Sequence, residues 1–210
     1  MYRYELSLIS RKRVNLETMN ASIIPIAAEP LGRFSLSKEE HQKFKKSIEE
    51  IFKQAKPDQT TINKANNSLL HICNNRSQNI FRSFEEISEL EQIFSNFALE
   101  YIDMIGLLCE KVVITDAWLN KGAKNATQSF HNHLNSLISG TYYINFDPKI
   151  HSRIAFSNDR VNVRHQVPAF ALDKNREKNT SFFNAEYFAP EISEGDVLFW
   201  RSHILHGYQN

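Results

Sequence analysis

Two histidines separated by a single residue, His131 and His133, are the residues of the sequence best suited to bind a metal ion. In an extended chain successive side chains alternate between faces, so these two imidazoles point the same way and Asn132 points the opposite way. Two imidazoles on one face can bind one ion. Neutral imidazole suits zinc, copper, iron and nickel, so the pair does not select the metal. The alternative is that both histidines are hydrogen-bonded residues at the start of a strand.

A third histidine, His206, strengthens the metal interpretation. It follows a strand-like run, Val197 to Trp200, that is introduced by a turn-forming Glu-Gly-Asp sequence. A β-barrel brings a late strand beside an early one, so His206 can reach the first two histidines. The sequence therefore predicts a metal site built from three histidines, with His203 as a competing ligand in the same segment.

Composition narrows the class of protein. The 210 residues carry 25 Lys and Arg against 24 Asp and Glu, a formal net charge of +1, so no strong field attracts a phosphate backbone or an anionic membrane. Cys73 and Cys109 form no CxxC pair, which argues against a disulfide framework and a cysteine-ligated zinc site. No apolar run approaches the length of a membrane span. We expect a cytoplasmic protein that binds neither nucleic acid nor membrane, and the oligomeric state stays open.

The first half of the chain is predicted to be helical support for the site. Ser37 and Glu40 form a capping box that opens an amphipathic helix, which Pro57 stops. An apolar stripe over residues 87–105 predicts a second helix that ends at the following glycine. A short helix is expected over residues 69–72, inside a polar stretch.

From residue 112 onwards the pattern changes to short runs of β-branched and aromatic residues separated by turn residues, beginning with Lys121 and Gly122. This spacing predicts an antiparallel sandwich or barrel with the two helices covering one face. The predicted strands are Val112 to Leu119, Ile138 to Phe146, Arg153 to Phe156, Val161 to Val167, Ser181 to Phe188 and Val197 to Trp200.

Five motifs in the second half also carry a family resemblance. They are Trp118-Leu119-Asn120, His131-Asn132-His133, the run SGTYYIN from Ser139, the run GDVLFW from Gly195, and His206-Gly207. In this order they resemble the 2-oxoglutarate/iron(II) oxygenases of the prolyl-hydroxylase-like group, over residues 112–210. The resemblance implies a mainly β fold with N-terminal helices, whose core is a double-stranded β-helix, or jelly roll. The length of the chain and the change of pattern along it predict one domain over 1–210, with 1–110 as helical support and 111–210 as the catalytic core.

The family holds iron between a histidine–x–carboxylate pair and a distal histidine. By resemblance His131 is the first ligand and His206 the distal one, whereas His133 stands where the carboxylate is expected. This departure replaces the common two-histidine, one-carboxylate triad with three imidazoles. Three aspartates could be proposed as the missing carboxylate, but their turn-like sequence favours solvated roles. These are Asp147, Asp159 and Asp196.

The resemblance also implies a pocket for 2-oxoglutarate. Tyr143 matches the tyrosine that hydrogen-bonds a carboxylate of this co-substrate, and Ser139 lies on the same strand face by the period of two. The alternative for Tyr143 is an ordinary barrel aromatic. Trp118 and Trp200 are expected to fill the core rather than take part in catalysis.

A second departure concerns the far carboxylate of 2-oxoglutarate. The family places an Arg or Lys about ten residues beyond the distal histidine for a charge-assisted pair, whereas this sequence ends at Asn210. We expect that the last barrel strand is missing through C-terminal truncation, since a missing strand would expose a sheet edge. The alternative is an arginine elsewhere, and the candidates are Arg153, Arg160, Arg164 and Arg201.

The function implied is a dioxygenase that uses iron(II), 2-oxoglutarate and dioxygen to hydroxylate a small-molecule or peptide substrate, releasing succinate and carbon dioxide. Two alternatives stay open. One is a cupin-like dioxygenase with three histidines and no co-substrate. The other is a jelly-roll binding module without catalysis, because the fold alone does not fix the function.

Overall fold

The computed structural model describes most of the second half of the chain and the helices of the first half. The described residues are 28–54, 60–63, 69–72, 79–122, 126–158, 177, 179–181 and 183–208. Within them lie two α-helices, α1 (Lys38–Gln54) and α2 (Glu89–Met104), and two short 3-10 turns, Ile80–Arg82 and Glu85–Ile87. The strands are β1 (Gly32–Ser35), β2 (Thr60–Asn63), β3 (Leu69–Ile72), β4 (Leu119–Gly122), β5 (Gln128–His131), β6 (Ile138–Tyr142), β7 (Ala155–Ser157), β8 (Tyr187–Phe188), β9 (Asp196–Arg201) and β10 (His206–Tyr208).

Three antiparallel sheets organise these strands. Their orders are β1-β9-β6, β5-β10-β7-β8 and β2-β3-β4. Strands distant in sequence are neighbours in the first two sheets, as barrel-like folds require. The architecture is mainly β with two helices, which confirms the coarse prediction and is consistent with a jelly-roll oxygenase fold.

The first helix begins where its capping box predicts. The Ser37 hydroxyl and the Glu40 carboxylate hydrogen-bond each other, and each also accepts the other residue's backbone N–H, at 3.2 Å and 3.1 Å. These hydrogen bonds lower the pKa of the Glu40 carboxyl. Phe44 and Ile48 on the inner face are buried. The predicted stop at Pro57 lies outside the described residues.

The second helix also matches its predicted extent. It ends at Met104, and Gly106 follows with a φ of 78°, a left-handed conformation that glycine adopts without strain. Its buried stripe includes Phe94 and Tyr101. The helix packs this stripe into the same hydrophobic cluster as α1 and β9.

Strand β9 joins the two halves of the molecule. Its odd-numbered residues Val197 and Phe199 pack into the cluster formed with the helices, which we call the helix-side core. Its even-numbered residues Leu198 and Trp200 pack into a second, smaller cluster, which we call the histidine-side core. All four side chains are buried, so the strand is covered on both faces. This is why GDVLFW is continuously apolar rather than alternating after its aspartate.

Several predicted elements differ from the observed ones. Residues 69–72 form β3, not a helix, because this short apolar run pairs with both β2 and β4. Lys121 and Gly122 lie within β4 rather than in a turn, and of the strand predicted over 181–188 only Tyr187–Phe188 is observed. The strand predicted over 161–167 lies outside the described residues.

The segment from residue 112 to residue 118 is not a strand. Its carbonyl groups bond elsewhere: Ile114 accepts hydrogen bonds from the side chains of Asn79 and Arg82, and Ala117 accepts one from the backbone of Ile80. A 3-10 turn and its neighbouring side chains therefore take the place of a partner strand.

No helix in the part of the chain that the structure describes is both long enough and apolar enough to cross a membrane.

Candidate metal centre

The antiparallel pairing of β5 and β10 brings the first and third histidines together. His206 lies directly opposite His131 in this pair. His133 lies two residues beyond the end of β5, and its backbone N–H donates to the carbonyl of Ser202 at 2.9 Å. The histidine pair was predicted just before a strand, whereas His131 is the last residue of one.

A glycine makes this pairing possible. A Cβ atom at Gly207 would lie 2.5 Å from the Gln128 carbonyl oxygen and 3.1 Å from the Phe130 backbone nitrogen. No real Cβ tolerates the first distance, and backbone atoms cannot rotate away. Glycine after His206 is therefore required by the close approach of β10 to β5, at a point where the register of the pair shifts.

The three histidines converge. One ring nitrogen of each lies within 4.8 Å of the corresponding nitrogens of the other two. The ring centroids of His131 and His206 are 4.4 Å apart, those of His131 and His133 are 5.0 Å apart, and those of His133 and His206 are 5.2 Å apart. We call this group the histidine cluster. Such spacing suits three imidazoles bound to one ion at about 2 Å each.

Two of the rings are oriented by backbone carbonyl groups. His131 Nδ1 lies 2.8 Å from the Ser129 carbonyl oxygen, and His206 Nδ1 lies 3.0 Å from that of Ile204. A carbonyl only accepts, so both Nδ1 atoms are the protonated nitrogens, and both Nε2 atoms keep a lone pair for a metal. This is the usual arrangement around metal-binding histidines. The Gln128 side chain lies beside the same site, 3.5 Å from His131 Nε2.

The electrostatics of the cluster favour neutral imidazoles at His133 and His206. Burial, with a smaller contribution from the neighbouring His131 and His133, lowers the pKa of His206 to about 4 against the opposing hydrogen bond to Ile204. Burial and His131 also lower the pKa of His133, which Asp116 partly offsets. Metals bind the neutral form, so near pH 7 these rings need not release a proton first. Donor chemistry and protonation state thus both fit a metal ion.

The other residues predicted for the site lie on β6, which pairs with β9, or directly after it. Ser139 lies opposite Trp200 in the β6–β9 pair, and its hydroxyl hydrogen-bonds that of Ser202 at 2.8 Å. Tyr143 packs against the histidine-side core with its ring 5.3 Å from that of Phe146. Burial raises the pKa of the Tyr143 hydroxyl, which also accepts a hydrogen bond from the backbone of Ile154.

The alternative ligands lie apart from the cluster or outside the described residues. His203 Nε2 instead lies 3.6 Å from a Glu29 carboxylate oxygen. Asp147 caps its own turn by accepting the backbone N–H of Lys149 at 2.9 Å. Asp159 lies outside the described residues.

Asp196 does not have the solvated role predicted for it. It is 3% exposed and bonds Arg33 at 2.6 Å, the Ser35 hydroxyl at 2.8 Å and the Ser193 backbone at 2.7 Å. The Gly-Asp sequence is typical of a turn, but this aspartate is the first residue of β9, and its bonds to Arg33 and Ser35 join β9 to β1. A buried carboxylate needs such partners.

The candidate arginines do not enter the cluster in the part of the chain described. Arg153 pairs with Glu191. Arg201 acts electrostatically on Tyr101, on the helix side of β9. Arg160 and Arg164 lie outside the described residues.

The two tryptophans differ from each other. Trp200 is 3% exposed, as predicted for a core residue, and its ring centroid lies 4.7 Å from that of His206. Trp118 is 37% exposed with its ring centroid 5.7 Å from that of His133, so its predicted core role is wrong. Sequence reasoning also missed Gln128 and Asp116 as neighbours of the cluster, because no motif marks either of them.

Comparison with known proteins agrees with this site. Residues 116–210 match the family model described as Putative 2OG-Fe(II) oxygenase. A search of curated proteins gave no match. The matched segment contains all three histidines of the cluster. The resemblance seen in the sequence is confirmed over residues 116–210, which are similar to this 2OG-Fe(II) oxygenase family.

Proposed function

We propose that the protein is an iron(II)- and 2-oxoglutarate-dependent dioxygenase that hydroxylates a small-molecule or peptide substrate and releases succinate and carbon dioxide. The observation that carries this proposal is the convergence of His131, His133 and His206 within the segment that matches the oxygenase family. A folded protein brings three such donors together at a cost in desolvation and chain entropy, which metal binding offsets.

The histidine residues have separate tasks in this proposal. His131 and His206 bind the metal through Nε2, and the carbonyl groups of Ser129 and Ile204 hold their ring planes. His133 is the third ligand, in the place where the family has a carboxylate. When bound, iron(II) supplies the activation of dioxygen that side chains cannot provide. The protein's own contribution is to orient the rings of His131 and His206 and to keep His133 and His206 neutral.

Tyr143 and Ser139 are proposed to bind 2-oxoglutarate. The raised pKa keeps the Tyr143 hydroxyl protonated at neutral pH, and its oxygen already accepts the hydrogen bond from Ile154. Its proton is therefore available to donate to a carboxylate. The Ser139 hydroxyl shares a hydrogen bond with Ser202, which fixes its position on the same face of β6.

The three-histidine donor set also favours a second candidate, a dioxygenase that needs no 2-oxoglutarate. Within the described residues, His131, His133 and His206 form a metal-binding group to which no carboxylate belongs. A metal site with three neutral ligands has a net charge one unit more positive than the common triad with its carboxylate. This difference alters the redox behaviour of the metal. Dependence on 2-oxoglutarate separates the two candidates.

The test is succinate formation. The protein is loaded with iron(II) without oxygen, 2-oxoglutarate is added, and succinate is measured after exposure to oxygen. We expect slow substrate-independent turnover that is lost in His131→Ala and in His206→Ala. His203→Ala is the matched control, because this histidine lies outside the cluster.

Each alternative outcome has a meaning. Oxygen consumption without any requirement for 2-oxoglutarate would replace the proposal with the co-substrate-independent dioxygenase. Failure of the wild-type protein to bind iron, or iron binding with neither succinate formation nor oxygen consumption, would favour the binding module. Equal turnover in wild type and His206→Ala would remove the histidine cluster from the mechanism.

We further propose that the helical region 1–110 and the core 111–210 form one domain. Support comes from β9, whose two faces pack into the two hydrophobic cores. A strand shared in this way couples their unfolding. Chemical denaturation should therefore give one transition by far-UV circular dichroism and by tryptophan fluorescence, and two separated transitions would contradict a single domain.

A further inference from the structure

The indole nitrogen of Trp200 is buried without a hydrogen-bond partner among the described residues. The whole side chain is 3% exposed. A buried donor without a partner loses its bonds to water and gains nothing in return, and native proteins carry few of them. Where one persists, an absent ligand is a physical reason for it.

The position of Trp200 suggests where that ligand binds. The indole packs edge-to-face on His206, with ring centroids 4.7 Å apart, and also on Phe156 at 5.3 Å. Trp200 lies opposite Ser139 in the β6–β9 pair. The indole that carries the unpaired donor therefore lies beside His206 of the histidine cluster and opposite Ser139, on the strand proposed to hold the co-substrate.

We propose that the Trp200 Nε1–H donates a hydrogen bond to a carboxylate oxygen of 2-oxoglutarate bound at the histidine cluster. This inference rests on the proposed function and adds a co-substrate contact to it. An indole N–H is only a donor, so its partner must be an acceptor. A carboxylate is the strongest acceptor that the proposed chemistry brings to this site, since charge-assisted hydrogen bonds are about twice as strong as neutral ones.

The proposal explains why position 200 is a tryptophan rather than a phenylalanine. Phenylalanine would fill most of the same space beside Phe156 and His206 without burying a polar group. In the absence of ligand the N–H of Trp200 weakens the fold, whereas with ligand it contributes to binding. The contact also links co-substrate to metal, because the indole packs edge-to-face with the ring of His206.

The test compares co-substrate binding in two phenylalanine variants. Zinc(II) is used as a redox-inert ion that suits imidazole ligands, and 2-oxoglutarate is titrated into the zinc-loaded protein by calorimetry. We expect Trp200→Phe to weaken 2-oxoglutarate binding by roughly tenfold or more while zinc affinity stays the same. Trp118→Phe is the matched control and should bind 2-oxoglutarate as the wild type does, because Trp118 lies beside His133 on the exposed side.

A second measurement does not depend on the folding of the variant. The chain has two tryptophans, so protein labelled with ¹⁵N-tryptophan gives two indole N–H resonances, which Trp118→Phe assigns. The Trp200 resonance should shift downfield when 2-oxoglutarate is added to the zinc-loaded protein. Thermal unfolding gives a third reading, since ligand-free Trp200→Phe should be at least as stable as the wild type.

The outcomes separate the inference from the proposed function. Wild-type binding of 2-oxoglutarate with unchanged affinity in Trp200→Phe would overturn the Trp200 contact and leave the proposed function standing. An unshifted Trp200 resonance on saturation would do the same. Failure of the zinc-loaded wild type to bind 2-oxoglutarate, with zinc bound, would overturn both.

Discussion

The two faces of β9 differ in what they pack against. Among the described residues, the helix side holds sixteen buried hydrophobic residues, drawn mostly from the helices, the 3-10 turns and the strands, whereas the histidine side holds six. The histidine side adds the buried His206, with its lowered pKa, and the buried Trp200 indole nitrogen, which has no hydrogen-bond partner among the described residues. On the helix side, by contrast, the buried His41 is hydrogen-bonded to both Tyr142 and Glu194.

This contrast shows how one strand can serve stability and function. Residues on the helix side pack by size and shape, so their contribution is the burial of apolar surface. The histidine side buries polar groups as well, namely His206 and the Trp200 indole nitrogen, for which we propose ligand partners. Perturbed groups of this kind concentrate at functional sites. The following changes should therefore affect the two sides differently.

The largest effect is expected from Gly207→Ala. The new Cβ would meet the Gln128 carbonyl at 2.5 Å, so β10 must separate from β5 and His206 must move away from His131. Metal affinity should fall by about 100-fold, the upper end for changes around metal ligands. Isothermal titration with zinc(II) measures it. Gly122→Ala is the control, since its Cβ meets only Ala126 at an ordinary 3.4 Å, and equal affinities in both variants would contradict the argument.

Phe44→Ala should lower the free energy of unfolding without changing the metal affinity. The side chain is fully buried in the helix-side core, and its removal should cost about 3–5 kcal/mol in free energy of unfolding. Metal affinity of the folded fraction should stay that of the wild type. Phe156→Ala is the counterpart on the histidine side, opposite His206, and should lower both quantities. Loss of metal affinity in Phe44→Ala would show that the two sides are not separable.

Tyr142→Phe tests the polar contact on the helix side. The Tyr142 hydroxyl lies 2.6 Å from Nδ1 of the buried His41, so its removal leaves that nitrogen unpaired at a cost of about 1–3 kcal/mol. Urea denaturation measures the loss. Tyr187→Phe is the control on an exposed tyrosine and should be neutral. A neutral Tyr142→Phe would mean that the hydrogen bond does not fasten α1 to the sheet.

A further effect concerns how the stability of the metal-free protein depends on pH. His206 ordinarily titrates near 6.5, and its folded pKa is about 4. Between these values the unfolded chain binds more protons than the folded one, so stability is full above about pH 6.5 and falls as the pH decreases towards 4. Denaturation midpoints across this range measure the slope, which His206→Asn should flatten. An unchanged slope in that variant would assign the effect elsewhere.

Local chemistry decided which features were predictable from the sequence. The capping box of α1 and the glycine that ends α2 act within a few residues, so both helices were predicted correctly. The three histidines were placed together because strand alternation and a barrel-like order leave few other arrangements. Tyr143 and Ser139 as co-substrate ligands stay predictions.

The predictions that failed depend on contacts between residues that are distant in the sequence. Residues 69–72 became a strand because β2 and β4 lie on either side, and no local pattern reports such neighbours. Asp196 follows a turn-forming glycine, yet its partners Arg33 and Ser35 come from the other end of the chain. Trp118 was assigned to the core by its size, whereas its neighbour is His133.

The most direct test of the central claim is the number of metal ions bound per chain. Metal-free protein is titrated with iron(II) under anaerobic conditions, and bound iron is measured after removal of the excess. One ion per chain is predicted for the wild type and for His203→Ala, and none for His206→Ala under the same conditions. One ion per chain in His206→Ala, or none in a folded wild-type protein, would contradict the claim that His131, His133 and His206 form the metal site.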